Sequence, residues 1–131
     1  MRQIKKEPKK LNVKIERVLN PPKLVFGFQY LHHHSWTDCK NVDFFKEFIA
    51  RLQKFSQLTW QALYQAPRHG LGTEKMPLSS MKPLIQGLPE GIDNLLVLRA
   101  TGNNHPFLGF RVADTFEVVF IESEFGDVYE H

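Results

Sequence analysis

The chain has 131 residues, a mass of 15.3 kDa, 42% apolar residues and 24% charged ones. That suits one compact domain burying roughly two thirds of its unfolded surface, and it argues against wholesale disorder. No run reaches about 18 consecutive apolar residues and no apolar signal core opens the chain, so a cytoplasmic protein with no membrane partner is expected. The one cysteine, Cys39, excludes an internal disulfide framework and zinc sites built on two or four cysteines.

The net charge of +3 is unevenly spread. Residues 1–23 carry eight Lys/Arg against two acids, a balance of +6, and the remaining 108 residues balance at −3. The first 23 residues therefore read as a basic extension, and residues 24–131 as a single domain. A basic arm adds sequence-independent affinity for phosphates, or it is simply a solvated terminus.

Within the extension, residues 10–19 mix alternating and helical patterns, and their type stays open. Asn20-Pro21-Pro22 interrupts the chain, because proline fixes φ and removes a donor. Residues 24–31 (LVFGFQYL) are rich in aromatic and branched side chains and predict a buried first strand. Residues 32–41 read as a polar connection. Phe44, Phe45, Phe48, Ile49, Leu52 and Phe55 recur at helical spacing and predict an amphipathic helix over residues 42–55, capped by Asn41 or Asp43. Ser56 is the expected cap of a second helix bearing Leu58, Trp60, Leu63 and Tyr64, and Pro67 and Gly70 end it.

Residues 67–91 hold four prolines and four glycines and predict a loop, with at most a short turn near Leu84. Three strands follow, at residues 95–100, 107–113 and 116–121. Gly102-Asn103-Asn104 and Asp114-Thr115 are the expected turns between them. The order is β-α-α-β-β-β. The expected fold is therefore α+β, with a small antiparallel sheet and two helices packed on one face.

The C-terminal stretch supplies a likeness. An arginine-bearing strand (Arg111), a tight turn (Asp114-Thr115), a hydrophobic strand (Phe116 to Ile121) and a closing Val128-Tyr129 pair stand in the order found in the RelE/ParE-like toxin superfamily. With the element order, residues 24–131 resemble that group. Many of its members cleave mRNA on the ribosome and others inhibit gyrase. The resemblance implies a toxin-like RNA-acting protein, a metal-independent endoribonuclease in its catalytic form, with RNA or the ribosome and an antitoxin-like protein as partners. It places Arg111 at a phosphate and Tyr129 beside the cut. Two features depart from the family pattern: few cations precede the last strands, and Gly126-Asp127 stands where a basic residue is usual. They point to the alternative, a noncatalytic protein-interaction module on the same fold.

The residues themselves allow a matching chemistry. Arg99 and Arg111, on neighbouring strands, would hold a phosphate by paired N–H donors or else pair with Glu117 or Glu122. His105, before Pro106, would move protons. Tyr129 would stack on a base. Lys75 and Lys82 would bind the nucleic acid. The adjacent 2′-hydroxyl would attack, and no cofactor is implied. A third reading gathers His32, His33 and His34 with Asp38 or Cys39 around a metal ion. A polar, His-rich loop is the plainer account of that cluster. No phosphate-binding glycine loop is present.

Overall fold

The computed structural model describes residues 20–32, 34–37, 39–67, 73–81, 86–101 and 105–123. The chain forms β1 (Val25–Gly27), a single-turn helix α1 (His34–Thr37), α2 (Val42–Phe55), α3 (Trp60–Gln65), β2 (Glu74–Pro77), β3 (Asn94–Arg99), β4 (Pro106–Val112) and β5 (Thr115–Ile121). The α+β architecture expected from the sequence is what forms. The sheet has five strands in the order β1-β5-β4-β3-β2.

Two features of the sheet differ from expectation. It is mixed rather than wholly antiparallel, because β1 runs parallel to β5 while all other neighbours are antiparallel. It also gains β2 from the segment read as a loop. The sequence EKMP has no strand signature; its partner Leu95–Val97 supplies the ladder. Pro77, which cannot donate, is tolerated because β2 is an edge. The first strand is short because Leu31 N–H donates to the Phe28 carbonyl at 3.2 Å, closing a turn. The expected short turn near Leu84 and the Gly102–Asn104 turn lie outside the described residues.

Helix α2 forms where its apolar spacing demands. Phe44, Phe48 and Phe55 are buried. The cap is Asn41, whose side chain accepts from Phe44 N–H at 3.2 Å. Ser56 closes this helix instead of opening the next. Thr59 caps α3, its hydroxyl accepting from Ala62 N–H at 3.1 Å. Helix α3 stops at Gln65, one residue short of Ala66, which the following Pro67 disfavours in helix.

Both faces of the sheet are covered. Under the helices, Phe107 meets Phe48, Phe55 and Phe116 at ring distances of 5.1, 5.8 and 5.6 Å. Leu24, Leu63, Leu96, Leu98, Val118 and Ile121 complete this core. The opposite face buries Leu95, Val97, Leu108, Phe110, Val119 and Phe120 beneath Tyr30, Met76, Leu78, Met81, Leu88 and Ile92. The Pro/Gly-rich segment thus seals the second face. A bulge at Leu108/Gly109 leaves Val119 and Phe120 both on that face.

Candidate functional site

The turn between β4 and β5 builds the site. Val112 pairs with Thr115, so Ala113 and Asp114 form a two-residue reversal, one residue earlier than the sequence signal. Ala113 has φ of 52°, in the left-handed region that a residue with a Cβ seldom enters. Its carbonyl accepts from Arg111 Nε at 2.7 Å, and the next carbonyl, Asp114, accepts from Trp60 Nε1 at 2.9 Å and from Val25 N–H at 3.1 Å. The strained turn therefore aims two carbonyls that anchor a guanidinium and an indole.

These anchored groups stack. The Arg111 guanidinium carbon lies 4.4 Å from the Trp60 ring centre and 6.0 Å from that of Tyr64. Trp60 itself rests on Phe116, with centroids 6.2 Å apart and planes 22° apart. Trp60 is buried, while Tyr64 is half exposed. Arg111 thus sits at the end of an aromatic ladder rooted in the core. One of its donors, Nε–H, is spent on the Ala113 carbonyl; the two terminal nitrogens carry the other four.

Arg111 and Tyr64 line a groove of about 320 Å³ with Lys75, Asp93, Asn94 and Phe110. Lys75 reaches it from β2, where it pairs with Leu96. The volume stands at the lower end of small-molecule sites, which run roughly 300–1,000 Å³.

Arg99 and His105 stand elsewhere. Arg99 pairs with Pro106 at the start of β4, five residues and about 17 Å from Arg111 at its end. Alternation also separates them: Arg99 follows Leu95 and Val97, whereas Arg111 follows Phe107 on the helix side. The pair expected to clamp one phosphate is not brought together. His105 belongs to the Arg99 end. Its Nδ1 is 3.1 Å from the Glu122 carbonyl and its ring meets Phe44 edge-on at 5.5 Å. Buried Thr101 and Glu122 are there as well. Arg51 donates from Nε to the Arg99 carbonyl at 3.3 Å. Burial holds its guanidinium below its ordinary pKa; Arg99 adds to that and Glu47 opposes it.

Lys82, Tyr129, His33 and Asp38 lie outside the described residues. Among the described residues no group of three His, Cys, Asp or Glu side chains is placed to hold a metal ion. His32 donates its backbone N–H to the Val119 carbonyl at 2.7 Å and lays its ring 5.4 Å from Phe120. Cys39 is half-buried against the helix-side core. No described helix is long and apolar enough to cross a membrane.

Sequence reasoning misses the use of Trp60 and Tyr64, which read there as core positions of a helix. Their spacing of four is the available signal, since it puts both rings on one helical face. No protein-family model matches the chain, and no curated protein and no solved structure matches it.

Proposed function

We propose that this protein is a toxin-like RNA-binding protein whose groove between α3 and the β2-β3-β4 sheet end takes a single strand. One observation carries the reading: Arg111 is held ready by Trp60 and by the Ala113 carbonyl, beside Lys75 and a half-exposed Tyr64. A guanidinium fixed before the ligand arrives loses little entropy on binding. Its terminal nitrogens suit a phosphate, Lys75 adds a second charge, and Tyr64 offers a ring on which a base stacks. Residues 1–23, at +6, add attraction to the same polyanion. The resemblance of residues 24–131 to the RelE/ParE-like toxins agrees with this partner class.

The test is fluorescence anisotropy with a short single-stranded RNA at fixed salt. Arg111→Ala is expected to weaken binding by about tenfold or more, since a charge-assisted hydrogen bond is worth about 1.5–3 kcal/mol. Equal affinity of wild type and Arg111→Ala would overturn the reading.

A second reading has its own observation. His105, the expected proton-transfer group, is at the opposite end of β4 from Arg111. That separation favours a noncatalytic interaction module over an endoribonuclease using the two together. Such a module gives intact mRNA in cells expressing it and a protein partner recovered independently of Arg111.

A further inference from the structure

The support of Arg111 runs back to the root of the basic extension, where three consecutive residues dock. Lys23 bridges to Thr59, Leu24 N–H donates to the Leu58 carbonyl at 2.9 Å, and Val25 N–H donates to the Asp114 carbonyl at 3.1 Å. Thr59 caps α3, the helix that carries Trp60 and Tyr64. Asp114 belongs to the reversal that holds Arg111. Its carbonyl also accepts from Trp60 Nε1 at 2.9 Å, so both lone pairs are used. Residues 23–25 thus tie together the two pieces that present the guanidinium, although none of them lines the groove.

Ala113 makes this arrangement a two-state element. A left-handed conformation at a residue with a Cβ persists only where its surroundings over-determine it. Here the determinants are the Arg111, Trp60 and Val25 donors on the two turn carbonyls. Loss of one lets the turn relax, and the Ala113 carbonyl then no longer points at Arg111. We infer that the root of the extension controls the groove: with residues 23–25 seated, the turn is held and Arg111 is ready; with them lifted, the turn relaxes and Arg111 is released. The inference rests on the RNA reading above and concerns regulation of that same site. Val25 and the buried Trp60 are positioning residues in it, acting on the strand only through Arg111. Linkage makes the effect reciprocal, so a bound strand also holds the root in place.

The test titrates a short single-stranded RNA by fluorescence anisotropy at fixed salt against three proteins. They are wild type, Val25→Pro, which removes the N–H donor, and Trp60→Phe, which keeps a ring under Arg111 and removes the indole N–H. Each change is expected to weaken binding by about fivefold or more, the low end of couplings between sites. In an Arg111→Ala background neither is expected to weaken it further. In an Ala113→Gly background, where no strain is left to release, each loss is expected to shrink. Hydrogen exchange of the wild type supplies a measurement free of variants: saturating RNA is expected to slow exchange of the Val25 amide more than that of the α2 amides. A Val25 amide slowed no more than α2, unchanged affinity in folded Val25→Pro and Trp60→Phe, or losses that persist in Arg111→Ala overturn the inference. The RNA reading then stands as long as Arg111→Ala itself weakens binding. Failure of wild type to bind the strand overturns both.

Discussion

At the scale of single residues, backbone strain and close approach carry the structure's sharpest predictions. Ala113 holds a left-handed conformation that costs an L-residue about 1–2 kcal/mol. Glycine removes that cost but gives back part of it through a freer unfolded chain, about 0.4–1 kcal/mol. Ala113→Gly is therefore expected to raise the unfolding free energy in urea by about 0.5–1 kcal/mol, and a decrease would show that the turn relaxes in solution. Gly27 is constrained by a neighbour instead. A Cβ there would stand 2.5 Å from Glu117 Oε2. Glu117 is itself buried, with Oε1 accepting from Gln29 at 3.3 Å and Oε2 lacking a partner among the described residues. Gly27→Ala should cost about 1–3 kcal/mol in the wild type, as overpacking does. In a Glu117→Ala background the obstacle is gone, and the same change should cost less by about 1 kcal/mol or more. Additive effects in that double-mutant cycle would rule the close approach out. Gly109 is more tightly placed, since a Cβ there would run into the Glu117 backbone carbonyl, which no rotamer change relieves.

At the scale of elements, the helix ends separate two readings that the sequence leaves open. Asn41 and Asp43 are equally good caps by residue type, and the geometry selects Asn41. Asn41→Ala should destabilise the protein by about 1 kcal/mol. Asp43→Ala, which removes only a charge near the helix N-terminus, should cost about 0.3–1 kcal/mol, and less at high salt. Thermal unfolding of both variants at two salt concentrations checks this; equal, salt-insensitive effects would contradict the assignment. The same scale shows what the sequence can reveal. Helix α2 is legible because six apolar residues repeat at 3.6-residue spacing, and β3 to β5 because their runs are long, branched and bounded by turns. β2 is not legible, since its four residues become a strand only when Leu95–Val97 lie beside them. The burial of the second sheet face is hidden for a related reason. Leu78, Met81, Leu88 and Ile92 are scattered among prolines and glycines with no period, and only the folded sheet gives them a common target. The direction of β1 is hidden too, because nothing local to a strand encodes parallel against antiparallel pairing.

At the scale of the whole molecule, the proposed RNA reading turns on which end of β4 would carry it. Arg99, His105 and Arg111 look like one cluster in the sequence, because residues near in the chain on adjacent hairpin strands are often near in space. The strand length defeats that: Arg99 pairs with the first residue of β4, and Arg111 is five residues farther on. The molecule thus has a groove end, with Tyr64, Lys75 and Arg111, and an opposite end, with Arg51, Arg99, Thr101, His105 and Glu122. They can be separated by mutation because changes this far apart act independently. Lys75→Ala and Arg111→Ala should each weaken single-stranded RNA binding and flatten its dependence on log salt by about 0.7 for each phosphate no longer neutralised. Arg99→Ala and His105→Ala should leave affinity and slope as in the wild type. Induced expression in a bacterium then asks where the biological effect arises. Growth arrest abolished by Arg111→Ala but kept in His105→Ala would place it at the groove. Arrest abolished only by His105→Ala, with RNA binding intact, would move the chemistry to the far end and reduce the groove to a docking site. A folded His105→Ala is a precondition, since its ring packs on Phe44 and its Nδ1 faces the Glu122 carbonyl; His105→Gln, which keeps a polar group there, is the companion variant that separates a damaged fold from a missing proton carrier.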